Sequence, residues 1–151
     1  MIDAGKRVAA AALFFDDQGR VLLVDPVYQE KWHVPGGIAE DGESPKQACR
    51  REVLEELGLD KPIGRMLCTD WIPATPGLPE RILFFFDGGT LKPEEIDKIA
   101  LQAEELQDFT FVPIPQAVDM LPDLLARRLQ ACMQIRDTPE TAYLENGYQV
   151  G

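Results

Sequence analysis

The segment Gly37-Ile-Ala-Glu-Asp-Gly-Glu43-Ser44-Pro45-Lys-Gln47-Ala-Cys49-Arg50-Arg51-Glu52-Val53-Leu-Glu55-Glu56-Leu57-Gly58-Leu59 decides how the rest of the chain is read. It holds a helix with both ends marked. Ser44 supplies an N-cap, Pro45 takes the first helical position, where a missing N–H costs nothing, and Gln47 completes a capping box. Gly58 can adopt the left-handed conformation that ends a helix after Leu57. Cys49, Val53 and Leu57 recur every fourth residue and form one apolar stripe. Glu52, Glu55 and Glu56 stand at i, i+3 and i+4, so their carboxylates share another side of the helix within an arc of roughly 100°. Like charges at this spacing repel, and something must compensate them. Either Arg50 and Arg51 do so on a solvated face, or a hard divalent cation with its preference for oxygen ligands does.

Working outward, Pro35-Gly36-Gly37 marks a sharp change of chain direction just before the segment, because proline fixes its own φ and glycine admits values closed to other residues. His33-Val34 reads as a short extended stub behind a loop at 26–32. Further upstream, apolar runs at 7–15 and 20–25 flank Asp16-Asp17-Gln18-Gly19, which is a hairpin pattern. Lys6 and Arg7 before an apolar run imitate a signal peptide, but the run is short and the turn follows at once, so the hairpin explains it better. Downstream, strands are expected at 63–72 and 81–86 around a loop containing Pro73, Pro76, Gly77 and Pro79, with Gly88-Gly89 closing the second strand. A short helical piece at 93–101, an extended stretch at 109–112 and helices at 116–120 and 123–135 follow. The tail at 138–151 carries weak signals. Strands and helices therefore alternate within a single α/β domain spanning 1–151.

The 151 residues are 45% hydrophobic and 27% charged, enough to bury a core. Fifteen Lys and Arg against 26 Asp and Glu leave a net charge of −11. Such a chain repels a phosphate backbone, which disfavours a non-specific nucleic-acid binder or a basic membrane-surface protein. A small anionic substrate stays compatible if a divalent cation sits between it and the carboxylates. Cys49, Cys68 and Cys132 are widely spaced and suggest neither a disulfide framework nor a zinc site, which fits a reducing cytoplasm. No stretch approaches the roughly 18 apolar residues of a membrane helix.

The segment from Gly37 to Leu59 also matches, at every defined position, the signature of the Nudix hydrolases: G, five residues, E, seven residues, R-E, an aliphatic, any residue, E-E, any residue, G, an aliphatic. The chain thus resembles that family. The resemblance implies an α/β/α sandwich with a mixed β-sheet and metal-dependent hydrolysis of the diphosphate linkage in nucleoside diphosphate-X compounds, with Mg²⁺ or Mn²⁺. It implies Glu52 and Glu56 as principal metal ligands, Glu55 as a further ligand or a neighbour of the attacking water, and the carbonyl of Gly36 as another ligand. Arg51 and Glu43 are expected to hold the glutamates through charge-assisted hydrogen bonds. Family members place the general base differently. Here Glu105 best matches a later segment in which a glutamate precedes an aromatic-bearing strand, with Phe111 where tryptophan is common.

The partner so implied is a small nucleotide-type substrate, with no nucleic acid and no membrane; a homodimer is allowed. Nucleotide sugars or similar diphosphate conjugates are favoured over nucleoside triphosphates, with an ADP-ribose-like substrate left open by Pro73 and Pro76. The alternative is a nucleotide-sensing Nudix domain without catalysis, against which the four intact glutamates argue. An isomerase relative acting on a carbon acid lacks the residues for that chemistry. Outside the signature, His33 reads as a strand-end residue, Trp32 and Trp71 as core or rim residues, Arg65 and Arg81 as solvated arginines rather than phosphate partners, and 84–86 as buried strand.

Overall fold

Strand β1 (Arg7–Phe15) sends alternate side chains to two different cores, and this period-two division organises the molecule. Ala10, Ala12 and Phe14 belong to one apolar cluster, and Ala11, Leu13 and Phe15 to the other. The computed structural model describes residues 5–150. Its strands are β1, β2 (Val21–Pro26), β3 (Gly36–Ile38), β4 (Met66–Ile72), β5 (Arg81–Thr90), β6 (Leu106–Val112), β7 (Ala142–Glu145) and β8 (Tyr148–Gln149). Its helices are α1 (Pro45–Leu57), α2 (Pro93–Ile96), α3 (Ile114–Met120) and α4 (Asp123–Ile135). The strands form one mixed sheet in the order β6-β2-β1-β5-β4-β7-β8, with β3 attached to β1. The β1–β5 and β4–β7 pairs are parallel and the others antiparallel.

Helix α1 covers one face. Its stripe of Cys49, Val53 and Leu57 is fully buried against Phe14, Leu22 and Val24. Helices α3 and α4 cover the other face, where Leu125, Leu129 and Cys132 meet Leu13, Val21 and Leu67. This is the expected α/β/α sandwich with a mixed sheet. Both helix caps take the forms that the residues specify: the Gln47 amide donates to Ser44 Oγ at 3.1 Å, the Ser44 amide donates to Gln47 Oε1 at 2.8 Å, and Gly58 adopts φ 72°.

The first hairpin forms but splays. Beyond Phe15 opposite Val21, the register of β1 passes to β3, which pairs at Ala9–Ile38, Ala10–Gly37 and Ala11–Gly36. His33 bridges Val24 on β2 through hydrogen bonds of 2.8 and 2.9 Å. Gly36 and Gly37 are therefore strand residues after the turn. Close packing explains the first glycine, since a Cβ on Gly36 would lie 2.3 Å from the Ala10 carbonyl oxygen.

Other expectations need correction. The Gly88-Gly89 pair does not close β5; the strand continues through it to Thr90, with a register shift against Leu13 and Phe14. A Cβ on Gly88 would press into the Phe14 ring at 2.5 Å, so the glycine makes room for a core aromatic. The helical piece after Pro93 ends at Ile96, and β4 starts at Met66. The tail is a hairpin, β7 and β8, turning on Asn146 (φ 54°) and Gly147 (φ 81°). Asn-Gly was the available signal, because both turn residues need positive φ. Cys68 and Cys132, remote in sequence, place their thiols 3.2 Å apart in the core, and neither is in a disulfide. None of the described helices is long and apolar enough to cross a membrane.

Candidate active site

The loop between β3 and α1 folds back on the helix through Arg51. Its guanidinium forks onto Glu43, with Nε to Oε2 at 2.7 Å and Nη2 to Oε1 at 2.9 Å. The same group donates to Glu52 at 3.0 Å, to Glu55 at 3.3 Å and to the Ile38 carbonyl at 3.2 Å. One cation thus ties strand β3, the loop and two helical carboxylates together. Forked, charge-assisted bonds of this kind are strong and geometrically selective. The Arg51 side chain holds the Glu43 carboxyl down at about 2, and the carboxylates hold Arg51 above its ordinary value.

Glu56 differs. It is only 5% exposed, and among the described residues its carboxylate accepts one hydrogen bond, from the Gly36 N–H at 3.1 Å. Burial pushes its carboxyl up to about 8 against that bond, and the nearby Glu52, Glu105 and Glu55 add to the rise. Burial also raises the Glu52 carboxyl, although Arg51 opposes it. Gly37 admits Glu52 to this position, because a Cβ there would lie 2.4 Å from the Glu52 carboxyl carbon. Glu55 is more open, at 46% exposed.

Glu56 and Glu105 line one cavity of about 250 Å³, set where β1 and β2 separate. Glu105 stands just before β6, held by its carbonyl to the Val27 amide at 2.8 Å. The structure thus gathers Glu43, Arg51, Glu52 and Glu55 into one network and places Glu56, Gly36 and Glu105 at the adjoining cavity.

All the acidic donors are carboxylate oxygens, the set that suits Mg²⁺ or Mn²⁺ rather than a softer metal. Glu56, a carboxyl raised chiefly by burial and further by its acidic neighbours, is the kind of group that a divalent cation would restore to its charged form. The donor set therefore fits. Among the described residues no three acidic, histidine or cysteine groups converge on one point. Glu52 and Glu55 lean toward Arg51 while Glu56 turns to Gly36.

The cavity is also lined by Tyr28 and Arg128, which no local sequence signal marks; Tyr28 stands near Glu56, Glu105 and Glu52, and its partial burial and their charges raise its hydroxyl. Arg128 is buried and paired to Asp70 at 2.6 Å. Arg81, expected to be solvated, lines the cavity with its Nε buried. Arg65 is neither solvated nor set at the cavity; it donates to four carbonyls, of Ile135, Arg136, Thr138 and Glu140, closing the end of α4. His33 sits in the cavity wall as well as at the strand end, its Nδ1 bonded to the Val34 carbonyl at 2.8 Å.

A family model described as "NUDIX domain" matches residues 5–132. An RNA pyrophosphohydrolase of Vibrio cholerae is 34% identical over 84 residues, which cover 55% of this chain and 49% of that protein. The chain spans about half the length of the curated relatives it matches. Among solved structures, the MutT protein from Methanosarcina mazei superposes with a TM-score of 0.75 at 22% identity, covering 91% of this chain and all of that one. The NUDIX domain of Shewanella oneidensis NrtR, solved with ADP ribose, gives a TM-score of 0.71 at 20% identity, covering 89% and 90%. At these identities the structural likenesses speak to the fold alone.

Proposed function

Because the chain belongs to the NUDIX-domain family, we propose that it acts as a single-domain, divalent-cation-dependent pyrophosphohydrolase cleaving the diphosphate linkage of nucleoside diphosphate-X compounds. The observation that carries this reading is Glu56: a buried carboxylate, raised to about 8, at the end of a cavity it shares with Glu105 and beside a half-buried Glu52.

Glu52, Glu55, Glu56 and the Gly36 carbonyl would hold Mg²⁺ or Mn²⁺. A bound divalent cation supplies charge neutralisation at the phosphoryl oxygens and a lowered pKa for a coordinated water. Arg51, forked onto Glu43, would hold Glu52 and Glu55 in place and tie the loop before α1 to the helix. Glu105, which lines the same cavity as Glu56, would take the proton of the attacking water, and Glu55 is the other carboxylate available for that step. The ionised carboxylates of this site and the chain's net negative charge repel an uncompensated phosphate, so binding of an anionic substrate would depend on the cation.

The relatives named RNA pyrophosphohydrolase raise an RNA 5′ end as a substrate. The net charge of −11 weighs against gripping an RNA body and favours a small nucleotide conjugate, such as a nucleotide sugar or an ADP-ribose-like compound. The test is phosphate and nucleoside monophosphate release from nucleotide sugars, ADP-ribose, nucleoside triphosphates and 5′-triphosphorylated RNA, with and without Mg²⁺ or Mn²⁺. Cleavage of one class that disappears in Glu56→Gln is the expected result. Cation-dependent nucleotide binding with no cleavage of any substrate would replace this reading with a sensing domain.

A further inference from the structure

The cavity that Glu56 and Glu105 share is polarised across its width. Its carboxyls stand where β1 and β2 separate, whereas the cationic side chains of its described wall, Arg81 and Arg128, come from β5 and α4. Strand β1, which contributes Ala9 to Ala11, lies between β2 and β5 in the sheet. Arg128 is 6% exposed. Its Nε donates to Asp70 Oδ2 at 2.6 Å, and its guanidinium lies over the Phe85 ring at 5.8 Å. Asp70 is fully buried, and its other oxygen accepts the Gly147 amide of the β7–β8 turn at 3.0 Å. Segments far apart in the chain thus fix one guanidinium.

Among the described residues, Nε makes the one side-chain hydrogen bond of Arg128. The buried side-chain nitrogens that lack a partner there are Arg81 Nε and Arg127 Nε. Nη1 and Nη2 of Arg128 are not sealed in that way, so these unpaired donors keep contact with solvent at the cavity that Arg128 lines. Its charge is felt there too: burial holds the His33 ring below its ordinary value, and Arg128 adds to that effect. Asp70 cancels one of the two arginine charges, and no carboxylate pairs with Arg81 among the described residues. This side of the cavity therefore keeps a net positive charge beside apolar Leu83 and Phe85, where weak screening strengthens its pull on an anion.

We propose that Arg128 is a substrate-binding residue, its terminal N–H groups holding an oxygen of the diphosphate on the side away from the glutamates. The inference rests on the nucleotide-hydrolase reading of the site. At about 250 Å³ the cavity falls below the roughly 300 to 1,000 Å³ of pockets that enclose a drug-sized ligand, so it suits the phosphates rather than a whole nucleotide conjugate. Two terminal donors on a planar group match phosphate oxygens, and a guanidinium already pinned at Nε needs no rearrangement to meet them. A nucleobase is a poorer occupant of this side, because the uncompensated positive charge gains more from an anion.

Methylene diphosphonate carries the phosphate oxygens and has no anhydride to cleave, so it tests the contact without turnover. In calorimetric titration with Mg²⁺ present, Arg128→Lys, which keeps the charge and loses the terminal pair of donors, should bind it about tenfold or more weakly than the wild type. Mg²⁺ affinity without the diphosphonate should not change, and circular dichroism should show an intact fold. Should this variant not fold, Arg128→Met combined with Asp70→Asn takes its place, since it removes both charges of the buried pair and leaves an acceptor for the Gly147 amide. Equal diphosphonate affinity in wild type and variant, a loss of Mg²⁺ affinity in step with it, or no binding to the wild type at millimolar concentration would each overturn the proposal. Diphosphonate binding that depends on Arg128, in a protein that cleaves no nucleotide, would instead count against the hydrolase reading and leave this contact standing.

Discussion

Glu43 and Glu56 flank Arg51 in one short segment and end in opposite electrostatic states. Glu43 meets a guanidinium in a forked ion pair and its carboxyl falls to about 2; Glu56 is buried beside other carboxylates and rises to about 8. The first charge is satisfied by the fold and holds the loop against the helix. The second is left unbalanced by the fold, and unbalanced buried charge gathers where a protein binds or reacts. Distance from Arg51 along the helix makes the difference: Glu52 and Glu55 lie within its reach, and Glu56 turns away toward the Gly36 amide.

Breaking the unbalanced side should have the largest effect. Glu56→Gln is expected to lower turnover by more than the roughly 10- to 100-fold that loss of a partner behind a metal ligand costs, read as kcat on the preferred substrate with Mg²⁺. A fall smaller than tenfold would remove Glu56 from the ligand set. Next comes Gly37→Ala, whose methyl group would meet the Glu52 carboxyl at 2.4 Å. It should weaken the response to Mg²⁺ by about tenfold while leaving the helix content unchanged, measured by cation titration and circular dichroism. Breaking the balanced side with Arg51→Lys keeps the charge and loses the fork, so kcat should drop roughly 10-fold. An unchanged kcat would show that the fork has no part in turnover.

The pH dependence sharpens the contrast. Glu43, lowered from 4.5, contributes stability that is present above pH 4.5 and lost as pH falls toward 2. Glu56, raised from 4.5, contributes stability that is full below pH 4.5 and lost as pH rises through 8. Cation-free protein should therefore melt about 5 °C or more lower at pH 8 than at pH 5. Most of that difference should vanish in Glu56→Gln, and Mg²⁺ at pH 8 should restore it in the wild type only. An identical pH profile in the variant would show that Glu56 is not the responsible group. The smallest effect belongs to Ser44→Ala, which removes the cap hydrogen bond at 3.1 Å and should cost about 1 kcal/mol in denaturant unfolding.

The helix from Pro45 to Leu57 was readable to the residue, since capping and four-residue periodicity are local properties. The apolar run at 7–15 likewise marked β1 as a strand. The C-terminal hairpin was less visible, although Asn146-Gly147 announces its turn; its pairing with β4 joins residues far apart in the chain. Gly88 and Gly89 misled because a glycine that ends a strand and one that admits Phe14 look alike in sequence. Of the site, the glutamates and Arg51 were legible through their spacing and the signature they complete. Arg81 was not, because an arginine on a strand becomes informative only when the surrounding elements deny its Nε a partner.

The sequence by itself therefore determined the local chemistry: which residues cap, which carboxylates share a helix side, and which family pattern they complete. Only the tertiary structure decided which of those charges are neutralised, because that depends on packing between remote segments. Glu56 becomes buried when α1 closes on β3, and Arg81 loses solvent without gaining an acceptor when β5 aligns with β1. Burial makes each of these charges costly to leave alone, and burial is a property of the assembled layers rather than of any stretch of chain.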